Sequence, residues 1–436
     1  MNRVLVAGVV SVAGLGDALQ CYVGALLVKR VMPYSEVIIH VSGPKSELLP
    51  RDTWINYSAS LVEQSSISYI LKRRLQSEAN QSSTSHFSHA SSAGAISRLL
   101  PCMMQRHYMS KTVNLYARPA LCKLLNMESY DCGLVGGHTI EISAFFEEVL
   151  TYRCARVVTR GPLISFPLSI SALGLSARRK HLDLLKRSLN VFDAIFVRGS
   201  FSRNIITKFM DEDRVFIGLD AGFGVRLLNP KPWRTSRERL VMGIIPRRDY
   251  FYFYQREGMY AEYLKALKKL IEYATANNLE VLLIPHSLRS NTTSIELSDE
   301  NAIEDLLGII GEEHRRKIKV AVPKDLLEDI RLLSSLDVLV TSRMHAGILA
   351  LAYDIPSIFF QPKDDVKVLD LLSMLGFKPD KYLVDCFNPK CYDRLYVSLK
   401  QIIGELSRES KIIKDAVDRS IETLELPVRL AAKLLR

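Results

Sequence analysis

The sequence predicts an α/β protein of two doubly wound, Rossmann-like domains that face each other across a cleft. Three observations predict it. The chain has 436 residues, beyond the size at which one hydrophobic core stops growing, so two domains are expected. After residue 238, strand-like and helix-like segments alternate regularly, which calls for a parallel sheet covered by helices on both faces. Several basic side chains then fall just beyond strand carboxyl ends, the edge at which such sheets bind ligands.

The second half carries the clearer pattern. Leu240 to Ile245 is a short apolar run closed by Pro246. From Tyr260 to Ala274, apolar residues recur at 260, 263, 264, 267, 270, 271 and 274, a helical period. Strand Val281 to Ile284 follows, then a polar helix from Ala302 to His314, strand Ile318 to Val322 and helix Lys324 to Ser334. Strand Val338 to Val340, helix Ala346 to Tyr353 and strand Ile355 to Phe360 complete the alternation. These segments assign 240–390 to a C-terminal domain.

The first half, 1–225, repeats the logic with strands expected at Arg3 to Val9, Glu36 to His40, Cys132 to Val135, Ala155 to Val158 and Phe192 to Val197. The start, Met1-Asn2-Arg3 before an apolar run, also resembles a signal peptide. A buried strand is the preferred reading, because the run stops at Gly14-Leu15-Gly16-Asp17 and an amphipathic helix, Asp17 to Arg30, follows. Between the strands, Ser77 to Ser97 holds eight serines in 21 residues and almost no large apolar side chains, the composition of a mobile insertion. Residues 226–239, with Pro230 and Pro232, read as an inter-domain linker. Residues 391–436 are helical with no strand left to cover, so they are expected to pack back on the first domain.

Composition excludes several classes. Hydrophobic residues make up 48% and charged residues 24%, ordinary for a soluble globular protein. Seven cysteines without a CxxC pair or zinc spacing suit reduced core thiols in a cytoplasmic protein, and no metal site is expected. No run reaches the ~20 apolar residues a membrane span requires. The formal charge of +11 calls for acidic partners. Nucleic acid is not favoured, since the densest basic cluster, Arg178-Arg179-Lys180 with Lys186-Arg187, lacks interleaved aromatics and any nucleic-acid signature. An anionic substrate, or peripheral contact with an acidic membrane surface, fits the charge.

The chemistry concentrates at Thr341-Ser342-Arg343-Met344-His345, a turn between a buried strand and a small-residue helix. Unpaired N–H groups at that helix start favour an anion. Arg343 adds a planar fork for carboxylate or phosphate, and His345 a group that titrates near neutrality. Arg198, Arg247 and His286 lie beyond other strand ends. Each has a plainer reading. Arg343 could pair with a structural carboxylate, His345 could cap backbone, His286 could be a satisfied structural histidine, and Asp17 could cap its helix. Gly14-Leu15-Gly16 lacks the third glycine of a dinucleotide fingerprint, which excludes that reading.

These residues resemble the polysaccharide pyruvyl transferase family. Arg343-x-His345 with Ala350 and Pro356 matches its most specific block, Arg-x-His-x-x-x-x-Ala-x-x-x-x-x-Pro. Gly16-Asp17-Ala18-Leu19 is similar to its glycine–aspartate turn, and Phe192 to Arg198 with Ser200 and Ser202 to its strand ending in arginine. Asp220-Ala221-Gly222-Phe223 and Gly136-Gly137 resemble two further segments. The resemblance implies a GT-B-like fold and transfer of the pyruvyl group of phosphoenolpyruvate onto two sugar hydroxyls, giving a ketal. It implies a glycan or lipid-linked sugar as acceptor, and no cofactor beyond the donor substrate.

That donor carries a carboxylate and a phosphate, so it needs at least two cationic clamps. Arg343 and Arg198 are the candidates, with Arg247 third. Methylene protonation and hydroxyl attack need acid–base groups, for which His345 leads and His286 and Asp17 follow. Gly16 and Ser342 complete the expected contacts. Two other functions share this pattern. A nucleotide-sugar glycosyltransferase uses the same cleft, but it would place a carboxylate near the ribose, where these turns offer Arg, His and Ser. A non-catalytic glycan- or metabolite-binding relative would have Arg343 or His345 turned to structural carboxylates rather than toward Arg198.

Overall fold

The computed structural model describes residues 2–7, 15–41, 55–59, 129–136, 139–140, 152–153, 155–170, 185–227, 239–253, 256–288, 298–363 and 365–436. The serine-rich segment 77–97 and most of the linker 226–239 lie outside them, as do Gly137 and His138.

The first sheet is five-stranded and parallel, in the order β3-β2-β1-β4-β6: β1 (Arg3–Ala7), β2 (Glu36–Val41), β3 (Ile55–Ala59), β4 (Cys132–Gly136) and β6 (Leu163–Phe166). Helix α1 (Leu15–Val31) crosses from β1 to β2. A short parallel pair is formed by β5 (Thr139–Ile140) and β7 (Ser169–Ile170). A second pair, β8 (Ile195–Val197) and β9 (Val215–Ile217), adjoins β6 through isolated bridges. Helix α2 (Ser200–Ile206) stands between β8 and β9.

The second sheet has six parallel strands in the order β12-β11-β10-β13-β14-β15. They are β10 (Val241–Ile245), β11 (Glu280–Leu283), β12 (Ile318–Val320), β13 (Val338–Thr341), β14 (Ser357–Gln361) and β15 (Leu383–Asp385). Its helices are α3 (Asp249–Phe253), α4 (Glu257–Ala276), α5 (Asp299–Ile309), α6 (Glu312–Arg315), α7 (Leu326–Ser334), α8 (Met344–Ala352), α9 (Val366–Met374) and α10 (Pro379–Tyr382). The central strands β10, β13 and β14 are buried along their whole length. Helices cover both faces, so the strands read as unbroken apolar runs. In both sheets the order reverses beside the first strand, between β1 and β4 and between β10 and β13. Ligands bind outside the carboxyl ends at such switch points.

The two sheets share one continuous apolar core. A 3-10 segment, Ala221–Leu227, carries it across by packing on both α1 and α8. The remaining helices are α11 (Cys391–Gly404), α12 (Leu406–Ser420) and α13 (Leu426–Leu434). Helix α11 covers α4, β14 and β15, α12 touches α8, and α13 packs on α1, β4 and β6 of the first sheet.

Several element expectations differ from the structure. Ala155 to Val158 is helical, and the strand is β6, after the turn at Gly161-Pro162. Ser165 and Gly161 masked that strand, whereas Val157-Val158 imitated one. The polar helix expected from Ala302 to His314 is two, α5 and α6, because Ile310 and Gly311 are extended (ψ 132 and 148). Helix α7 begins at Leu326 because Asp325 caps it by accepting from the Glu328 N–H.

Candidate functional site

Two chains of charged and polar groups lie beyond the strand ends. The first runs along the second sheet's switch point. Arg247, two residues after β10, donates from Nε and Nη2 to Asp249, with Nη2 3.0 Å from Oδ2, and its guanidinium lies 3.5 Å over the Tyr250 ring. Arg343, two residues after β13, donates from Nη1 to Asp249 Oδ2 at 3.1 Å. Its Nη2 and Nε donate to Asp299 at 2.6 and 3.1 Å. Asp299 opens α5 and also accepts from the backbone N–H groups of His286 and Ser287, at 3.0 and 2.8 Å. Burial pushes the Asp249 carboxyl up, but Arg247 and Arg343 outweigh it and hold the group below the ordinary range.

Ser342 belongs to the frame of this edge. The Arg247 N–H donates to the Tyr263 hydroxyl at 2.9 Å, and the Ser342 hydroxyl donates to the Phe360 carbonyl at 2.8 Å. The Tyr263 hydroxyl therefore donates to Ser342 Oγ, 2.8 Å away. The serine hydroxyl donates to one neighbour and accepts from another, and so ties β13 to β14 and α4.

The second chain joins the two domains. Arg198, fully buried after β8, pairs through Nε with Asp220. Asp220 also accepts from the Gly222 N–H at 2.8 Å and from the Gln20 amide nitrogen at 3.1 Å. The same Gln20 nitrogen stands 2.7 Å from His345 Nε2. Burial, and then the charges of Arg198, His286 and Lys367, push the His345 ring well below the usual histidine value.

Two further carboxylates sit close by. Asp370 of α9 accepts from the N–H groups of Phe201 and Ser202, at 2.9 and 3.2 Å, and from the Ser202 hydroxyl at 2.5 Å. Asp329 of α7 lies with Oδ2 3.2 Å from His286 Nδ1, both side chains buried.

The expected residues thus divide. Arg247, Arg343 and the His286 backbone meet through Asp249 and Asp299. Arg198 and His345 meet through Asp220 and Gln20. Arg343 is turned to the carboxylates of Asp249 and Asp299, the outcome expected of its plainer reading and of a non-catalytic relative. His345 meets Gln20, whose amide also reaches Asp220, the partner of Arg198. Gly16 and Asp17 lie in the first turn of α1, and the Asp17 side chain is outside the described residues. Sequence reasoning did not name Gln20, Asp249, Asp299, Asp329, Lys367 or Asp370 as site residues. A lone glutamine inside Ala18-Leu19-Gln20-Cys21-Tyr22-Val23 was a readable signal. The aspartates sit in ordinary polar helix starts and turns and gave none. Among the described residues no group of three or more His, Cys, Asp or Glu is placed to hold a metal, and no helix is long and apolar enough to cross a membrane.

The family model for polysaccharide pyruvyl transferase matches residues 15–364. The chain belongs to the polysaccharide pyruvyl transferase family. No curated protein matches it by sequence. Among solved structures it is similar to an α,α-trehalose-phosphate synthase (UDP-forming) from Burkholderia vietnamiensis, with 13% identity, coverage of 100% of this chain and 98% of that one, and a TM-score of 0.56. It is also similar to an α,α-trehalose-6-phosphate synthase from Burkholderia multivorans (12%, 100% and 98%, 0.53). A UDP-GlcNAc 2-epimerase from Neisseria meningitidis gives 12%, 97% and 99%, and 0.50. At this identity the likeness concerns the fold, which is GT-B.

Proposed function

We propose that the protein transfers the pyruvyl group of phosphoenolpyruvate onto two hydroxyls of one sugar in a cell-envelope polysaccharide or its lipid-linked precursor. Family membership supports the reaction class. The observation that carries the reading is His345, held by Gln20 where the two domains meet, with Asp220 and the buried Arg198 next along the same line of contacts. A buried guanidinium beside a histidine at a domain junction suits a small, multiply charged anion.

A proton adds to the methylene carbon, and a sugar oxygen bonds to the adjacent carbon. The C–O bond to phosphate breaks, and a second sugar oxygen closes the ketal. Of the two hydroxyl protons, one ends on the new methyl group and the other on phosphate. Fixed cations at the site would stabilise the departing phosphate. Arg343 would exchange one of its aspartates for a donor oxyanion, with Arg247 keeping Asp249 neutralised. The buried, unpaired thiols of Cys132, Cys386 and Cys391 and the net charge of +11 support a cytoplasmic place with peripheral contact at an anionic membrane face.

Titration of phosphoenolpyruvate into the protein by calorimetry, at fixed salt, tests the reading. Saturable binding that disappears in Arg343→Ala is expected. Binding of UDP-sugars with none of phosphoenolpyruvate would retire it in favour of a glycosyltransferase. Donor binding without phosphate release on any glycan acceptor would make the chain a binding protein.

A further inference from the structure

Gln20 and His345 lie on different domains and far apart in sequence, yet they meet at 2.7 Å. The protons in that contact can be assigned by counting donors. Asp220 already receives the Arg198 guanidinium and the Gly222 N–H. A carboxylate can only accept, so the end of the glutamine amide that faces it is the NH2 group. One amide hydrogen goes to Asp220, at 3.1 and 3.3 Å from its two oxygens. The other points at His345 Nε2, which must therefore accept. A neutral ring whose Nε2 accepts carries its proton on Nδ1. Among the described residues no partner stands at Nδ1, and the His345 side chain is only partly covered.

We propose that Gln20, held in orientation by Asp220 and Arg198, is a positioning residue that fixes His345 as the Nδ1–H tautomer across the domain junction. His345 then presents a neutral N–H donor at the site, while its Nε2 lone pair is occupied. This deepens the pyruvyl-transfer reading, on which it rests only for the identity of the anion that Nδ1–H meets. A neutral histidine donor stabilises developing negative charge without first having to lose a proton. The division of labour also means that the proton for the methylene carbon comes from elsewhere. Gln20 and His345 sit on different domains, so the tautomer is fixed at the junction between them.

The test is nuclear magnetic resonance of the full chain carrying 15N-histidine, with the His345 signals assigned by their loss in His345→Gln. Wild type is expected to show a protonated Nδ1 and an unprotonated Nε2, with no protonation of the ring as pH falls through about 6.5, the ordinary histidine value. The titratable groups acting on that ring are Arg198, His286 and Lys367, with Asp220 reaching it only through Gln20. In Gln20→Met, which keeps length and removes the donor, the two tautomers should mix and the titration should move upward. A protonated Nε2 in wild type overturns the proposal, as does an unchanged His345 spectrum in the variant. If Gln20→Met does not fold, the wild-type tautomer decides alone. None of these readouts needs a substrate, so failure of the phosphoenolpyruvate titration and failure of this assignment are separate events.

Discussion

Arg343 uses Nε, Nη1 and Nη2 on two aspartates, and that commitment makes its main partner testable. Asp299 is fully buried and also receives two backbone N–H groups. Asp299→Ala should cost about 3–5 kcal/mol, because it strands part of a buried guanidinium as well as two backbone donors. Urea unfolding measures it, and a loss under about 1 kcal/mol would show that these bonds are not held in solution. His345 gives a pH prediction of definite sign. Its ring titrates near 6.5 when unfolded but stays neutral to lower pH when folded. Below ~6.5 the unfolded chain binds the extra proton, so stability falls as pH falls. Wild type should therefore lose more thermal stability than His345→Gln between about pH 7.5 and about pH 5.5, by up to about 1.4 kcal/mol per pH unit. Equal losses in scanning calorimetry would contradict this. At this scale the sequence was half legible. Arg343, His345, Arg198 and Arg247 stand out as cations beyond strands, but Asp249 and Asp299 look like any polar helix start until the fold brings them together.

Helix α2 is seven residues long and begins at Gly199 without a side-chain cap from its own segment. Its N–H groups are satisfied by Asp370, on α9 of the other domain. A Cβ at Gly199 would lie 2.5 Å from Asp370 Oδ1 and 2.8 Å from its Cα, so the two helices approach as closely as glycine permits. Asp370→Ala should lower stability by about 1–3 kcal/mol through the orphaned donors, read by chemical denaturation, while leaving helix content by circular dichroism nearly unchanged. Helix α8 is fixed by the same logic. A Cβ at Gly347 would meet Phe359 Cε1 at 2.3 Å, and Phe359 is buried. Gly347→Ala should thus destabilise by about 1–3 kcal/mol and displace His345, two residues earlier. A crystal structure with α8 unmoved would refute that. Strand and helix periods made most of these elements readable. Neither close approach was, since it depends on which helix or strand lies opposite.

At the scale of the molecule, the alternation from Leu240 to Phe360 was enough to predict a parallel sheet, because strands buried on both faces are continuous apolar runs and their helices are amphipathic. The first sheet was harder. Ser165 interrupts β6 with a polar residue that is nonetheless buried and accepts from the Phe196 N–H. The packing of the last helix on the first sheet also has consequences for how the protein is made. Leu435 lies against Gly161, and α13 covers α1, β4 and β6. During synthesis those strands emerge long before the helix that shields them. The nascent first sheet must then wait with apolar surface uncovered, a state prone to aggregation. A fragment ending at Leu227 should be poorly soluble alone. A peptide spanning Ser420 to Arg436, supplied separately, should restore solubility by completing the first domain from the far end of the chain.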